Sequence, residues 1–274
     1  MDKIFDTPGA VALSIDIPAG DVSLVAEQTV ETRVELEPLD DAAREAIGHA
    51  RIELRERSDG HTLSIAVPER RGFFGRNPHF VLRVRCPEGT DVDARTRSAD
   101  LALRGAFGAV IGKSASGDVA VDKARGEVEI HTASGDVEVG SGAAGVAATT
   151  ASGDVTVHSA VGPIRVQVVS GDVMIGEALE AVDVNSVSGD LQLDAVGPGS
   201  VRAKSVSGDV RIAVRRGLDV WMDVSSLSGD TSCELASTDG PADEGVPLVE
   251  VRAKTVSGDV TIARATAVAP SSAA

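Results

Sequence analysis

Ala133-Ser134-Gly135-Asp136-Val137-Glu138-Val139 and Ala151-Ser152-Gly153-Asp154-Val155-Thr156-Val157 carry one pattern, eighteen positions apart. The pattern is a small residue or Val, then S-G-D, then Val-x-Val. The S-G-D triplet recurs at Ser116, Ser170 and Ser188 in the same phase, and again at Ser207, Ser228 and Ser257 after gaps of nineteen, twenty-one and twenty-nine positions, where the loops read as longer. A degenerate copy, Ser98-Ala99-Asp100, stands one full period before the first intact one. Eight intact copies in phase are the signature of a repeat architecture, so the repeat decides the fold before any single motif is weighed.

About nine residues after each V-x-V pair comes a second apolar pair, such as Val128/Ile130, Ile164/Val166 or Val182/Val184. Alternation of period 2 is the mark of a strand, and Gly with Asp supplies the tight turn between strands. Two strands and two turns per period describe one coil of a flattened solenoid. The expected fold is all-β: a single-stranded parallel β-solenoid (β-helix) of about 18 residues per coil. Apolar pairs face inward, the residue between them faces solvent, and coils stack about 4.8 Å apart.

Composition agrees. Five Phe, one Trp and no Tyr make 2% aromatic residues, and every Phe lies at or before Phe107. Facing sheets about 10 Å apart have room for Val, Ile and Leu but rarely for a ring. The formal charge is −16, with 42 Asp and Glu against 26 Lys and Arg. An acidic chain without a basic stripe is a poor binder of DNA, RNA or anionic membranes. No apolar run approaches the length of a membrane span, and Met1 to Gly20 has no apolar h-region, so the expectation is a cytoplasmic protein without membrane insertion.

The Asp of each copy poses a physical problem. In register, Asp118, Asp136, Asp154, Asp172, Asp190 and Asp209 form a column in which neighbours about 4.8 Å apart repel by about 0.9 kcal/mol even in water. One solution is that each carboxylate accepts backbone N–H bonds in its own turn or the next coil, aided by the Ser hydroxyls. The other is a column of cations, as in calcium-binding β-rolls. Those carry G-G-x-G-x-D in both half-coils, and the second half-coil here has no Asp.

Residues 1–95 lack the strict period but read as β, an irregular N-terminal cap or the first irregular coils, with Gly20-Asp21-Val22-Ser23-Leu24 echoing the repeat turn. Strands fit 11–17, 32–36, 50–54, 63–67 and 80–85, and Asp40 caps one short helix over 40–47. Residues 96–264 are the repeat solenoid, and 265–274 a flexible tail. Within the cap, Glu69-Arg70-Arg71-Gly72-Phe73-Phe74-Gly75-Arg76 sets three Arg and two Phe between glycines. Arg70, Arg71, Phe73, Phe74 and Arg76 are candidates for partner binding, since exposed aromatics beside Arg make interface hot spots. The alternative is a hairpin whose Phe pair plugs the end of the solenoid.

Motifs that suggest catalysis do not survive the phase. Gly140-Ser141-Gly142-Ala143-Ala144-Gly145 matches G-x-G-x-x-G, but it fits the coil and no helix follows. Gly108-Ala109-Val110-Ile111-Gly112-Lys113-Ser114 is one residue short of a P-loop and leads into a strand. Cys86 and Cys233 stand far apart without C-x-x-C, and the five His show no ligand spacing. No catalytic residue and no cofactor is therefore expected. A competing reading, a carbohydrate-active solenoid enzyme, would place converging carboxylates outside the repeat phase, first of all in the acidic loop Ser237–Glu244.

The phase-locked S-G-D-V turns, the strand-rich first third, Gly217-Leu218-Asp219-Val220-Trp221-Met222-Asp223-Val224 and Val249-Glu250-Val251-Arg252-Ala253-Lys254-Thr255 together resemble the bacterial Toastrack family over about residues 5–264. Phe73-Phe74-Gly75-Arg76 adds a likeness to its soluble branch. That family is catalogued under adhesin and β-strand-repeat labels and has no established function. The resemblance implies a single-chain β-solenoid, a link to cell-envelope stress or to small antitoxin-like partners, and no catalytic residues. The functional expectation is a non-enzymatic binding or scaffold module with a protein partner.

Overall fold

Strands on either side of an S-G-D turn pair in parallel with their counterparts one repeat on. Val128–Ser134 pairs with Val146–Ser152, that strand with Ile164–Ser170, and that one with Val182–Ser188. On the second sheet Val137–Gly142, Val155–Ala160, Val173–Ala178 and Leu191–Val196 pair in the same way. Inward side chains such as Ile130, Val139, Val157, Val166 and Ile175 are at most 1% exposed. Each buried Val or Ile contributes roughly 1.5–3 kcal/mol of transfer free energy, so the aliphatic column holds the coils together. The computed structural model describes residues 1–58, 60–67, 77–235 and 245–266. The β-solenoid read from the repeat is the fold.

Coils do not stack in sequence order at either end. Near the N-terminus, Ala10–Glu27 runs through both sheets as one long bent strand. On one side it pairs in parallel with Gly60–Ala66 and His79–Pro87, on the other with Asp91–Phe107. The first coil in sequence is thus the second in the stack. The C-terminus mirrors this. Gly199–Lys204 and Val210–Val214 pair with Leu248–Ser257 and Val260–Arg264, which in turn pair with Asp219–Ser228 and Thr231–Cys233. Here the chain skips a level, builds the outermost coil, and returns to fill the gap. Longer loops alone therefore do not account for the irregular spacing of the Ser228 and Ser257 copies. The exchange also buries the last strand, whose Val260 and Ile262 are 0% and 1% exposed.

The 95/96 boundary expected from sequence falls inside the strand Asp91–Phe107. Ala10–Glu27, Gly60–Ala66 and His79–Pro87 supply coils of the same stack, because their alternating apolar residues satisfy the same inward positions without an intact S-G-D signature. The true cap is smaller. Glu31–Pro38 pairs antiparallel with His79–Pro87, and Arg51–Arg57 with Gly60–Ala66, so both edges of the end coil are covered. The helix Asp41–Ala46 contributes Ala43 and Ala46 to the core. Asp40 caps this helix, its Oδ1 accepting the Ala43 N–H at 2.7 Å. That bond is the main reason its carboxyl titrates below the ordinary range. Covering an end coil in this way removes the edge that another strand would pair with.

Candidate functional site

The turn column is built from the backbone outward. Asp136 N–H donates to Asp118 Oδ1 at 2.9 Å, Asp154 N–H to Asp136 Oδ1 at 2.8 Å, and Asp172, Asp190 and Asp209 continue the series at 2.8 Å each. It then passes to Asp259 and ends at Asp230, both at 2.8 Å, following the order of the stack and not of the chain. One oxygen of each of these carboxylates up to Asp259 is engaged by the next coil. These bonds lie at the surface, where a net contribution of about 0.5–1.5 kcal/mol each is of the same size as the like-charge repulsion it opposes. The turn serines, expected to assist, are exposed. Glycine is required beside each Asp. At Gly171 φ is +144°, and a Cβ would lie 2.2 Å from the Gly153 carbonyl oxygen. Among the described residues no group of three or more His, Cys, Asp or Glu is gathered as a metal site. The Asp ladder is the fastening between coils.

Arg70, Arg71, Phe73, Phe74 and Arg76 lie outside the described residues, as do the acidic loop, 237–244, and positions 267–274 of the tail. Of the decoy motifs, Gly140 and Gly142 lie in the strand Val137–Gly142, which is followed by another strand. Cys86 is buried, which pushes its thiol up to about 11, whereas Cys233 is exposed.

A surface that no motif marks stands out instead. In the strand before each turn, the residue immediately preceding Ser points to solvent. In stack order these residues are Ala115, Ala133, Ala151, Val169, Val187, Val206, Val256 and Leu227. In the late coils they are exposed branched aliphatics: Val169 at 53%, Val187 and Val206 at 49%, Val256 at 47% and Leu227 at 82%. Two residues back on the same face stand Lys204 and Lys254, paired in register, and two further back Arg202 and Arg252. Arg165 stands two levels earlier in the stack, with Asp183 in register between it and Arg202. Among the described residues Arg165, Arg202 and Lys204 make no ion pair; Arg252 lies 5.4 Å from the Trp221 ring and pairs with Glu250, and Lys254 pairs with Asp223 at 3.3 Å. Strand alternation read from the repeat would have shown the aliphatic column, because position −1 to Ser is two residues beyond a known outward position.

The early coils present a different face at the same positions. Arg95, Lys113, His131 and Thr149 line a shallow groove of about 390 Å³, beside the small Ala115. His131 Nε2 lies 2.8 Å from Glu129, and this hydrogen bond lowers the Glu129 carboxyl from its ordinary value.

A parallel β-solenoid fastened coil to coil by a carboxylate ladder is the class this structure defines. The chain belongs to the Toastrack DUF4097 family, whose model matches residues 12–263. Among solved structures, a "putative adhesin" from Parabacteroides merdae is 13% identical, with 96% of each chain covered and a TM-score of 0.43. A "putative adhesin" from Parabacteroides distasonis is 11% identical over 95% of this chain and 96% of that one, with a TM-score of 0.44. A "putative lipid binding protein" from the same species is 10% identical over 96% of each chain, with a TM-score of 0.38. No curated protein matches the chain.

Proposed function

We propose that this protein is a non-enzymatic binding scaffold for a protein partner, and that its working surface is the outer face of the late coils. The observation that carries this reading is the straight column Val169, Val187, Val206, Val256 and Leu227, held in solvent at 47% exposure or more. Soluble proteins rarely keep large aliphatics aligned in one exposed patch unless something binds there. The solenoid suits the task because backbone pairing fixes the spacing of every outward side chain, so the face is preorganised and loses little entropy on binding. The turn ladder is spent on fastening, which leaves the strand faces free to diverge between early and late coils.

The test is capture of a partner from the native host with wild-type protein and with the triple variant Val206→Ser/Val256→Ser/Leu227→Ser. Loss of a reproducible partner in the triple variant, with the fold intact by circular dichroism, is the expected result. Capture that is equal for both proteins, or specific to neither, contradicts the reading.

A further inference from the structure

We propose that the late-coil face receives an amphipathic α-helix with an acidic flank, supplied by a protein partner. This inference rests on the scaffold reading above and names the chemistry of the occupant. Three parallel tracks define the face. The central one is aliphatic, from Val169 to Leu227. On one side run the cations Arg202, Lys204, Arg252 and Lys254; on the other runs the Asp column, from Asp172 to Asp230. Five rows about 4.8 Å apart make the aliphatic track about 19 Å long.

The spacing favours a helix lying along the solenoid axis. One face of a helix repeats about every 5.4 Å, so apolar residues at i, i+3/i+4 and i+7 stay within about 1.2 Å of three successive rows. A strand laid the same way repeats its face every ~6.8 Å and falls out of phase after one step. The Lys track lies two residues from the aliphatic one, about 6.8 Å, which matches the flank of a helix about 10 Å wide; the Asp column stands three residues beyond, across the turn. Charge selects the flank. The cationic stretch spans two levels, Arg202 and Lys204 beside Arg252 and Lys254, bounded in register by Asp183 and Asp223; among the described residues Arg202 and Lys204 make no ion pair, so acidic side chains along that flank would meet cations at these two levels. The Asp column on the far side disfavours an anionic membrane or a nucleic acid, because either would press phosphates onto both flanks at once.

The experiment titrates full-length protein against a fluorescent, hydrocarbon-stapled helix of five turns with a Leu stripe, Glu along one flank and Lys along the other. A scrambled peptide of equal composition and phosphatidylglycerol vesicles serve as the other arms. Saturable binding of the stapled helix is expected. Lys204→Glu/Lys254→Glu should weaken it at least tenfold and Val206→Ser/Val256→Ser at least fivefold, with unchanged melting curves. Equal affinity for the scrambled peptide, undiminished binding to both variants, binding to vesicles in place of the peptide, or no binding at all overturns the proposal. If the helix fails while capture still depends on Val206, Val256 and Leu227, only this inference falls. If capture is indifferent to them as well, the scaffold reading falls with it.

Discussion

At the N-terminal end of the stack, the inward side chains of the end coil, Leu63, Ile65, Phe80, Leu82 and Val84, are at most 1% exposed. At the C-terminal end the equivalent positions are Val220, Met222, Val224, Thr231 and Cys233, which are half-buried or exposed. Both ends share one device, a coil slipped under its sequence neighbour. They differ in what lies beyond it. The first is covered by antiparallel strands and a helix that adds Ala43 and Ala46; among the described residues nothing comparable covers the second. The outward columns differ in the same direction, from Ala115 and Ala133 to Val256 and Leu227. One half of the solenoid is finished for stability, and the other leaves apolar surface available.

That contrast can be broken most severely at the turns. Gly189 has φ +126°, and a Cβ there would sit 2.1 Å from the Gly171 carbonyl oxygen, between two fixed coils. Gly189→Ala is expected to cost roughly 3 kcal/mol or more in urea unfolding. Gly229 faces a similar contact, 2.2 Å from the Gly258 oxygen, but its coil is outermost and can shift outward. Gly229→Ala should cost less than half as much; equal costs would mean that the C-terminal end is held as firmly as the interior.

Core truncation gives a smaller effect with the same logic. Leu82→Ala, at a site 0% exposed beneath the cap, should destabilise by about 3 kcal/mol. Val224→Ala, in the half-buried outermost coil, should cost about 1 kcal/mol or less. Chemical denaturation of the two variants side by side measures the difference, and a reversed order contradicts it.

The mildest probe leaves the protein unmutated. Cys86 lies in the covered end coil and Cys233 in the open one. Burial pushes the Cys86 thiol up to about 11, so at pH 8 it stays protonated as well as enclosed. A thiol reagent should titrate Cys233 in the native protein and reach Cys86 only on unfolding. Two fast thiols would show that the N-terminal end opens freely.

The repeat was legible because its rules are local. Gly is forced where a Cβ would strike the preceding coil, and Val-x-Val alternates because one face is core. The helix over Asp41–Ala46 was legible from the Asp40 cap. Stack order was not, since sequence order sets the coil 219–233 between the near-identical coils beginning at Val201 and Val251, whereas in the stack those two are neighbours and 219–233 lies outside them. One clue was present. After Ser228-Gly229-Asp230 the chain reads Thr231-Ser232-Cys233, without the Val-x-Val that an interior level demands. The coils within the first third were only faintly marked, because Ala10–Glu27 and Asp91–Phe107 bend through the corner as continuous strands whose turns, at Gly20-Asp21 and Ser98-Ala99-Asp100, are degenerate. The aliphatic track was written in the repeat, one position before each turn Ser, but each of its residues is ordinary alone and the late copies shift from Ala to Val and Leu without breaking the motif.

If the outer face of the late coils is the working surface, the same position of the coil must behave differently in the two halves. A photo-crosslinking side chain at Val206 and, separately, at Ala133 makes that comparison. The expected result in the native host is a reproducible crosslinked partner from Val206 and none from Ala133. Equal crosslinking from the two positions, or crosslinking from Ala133 alone, would contradict it.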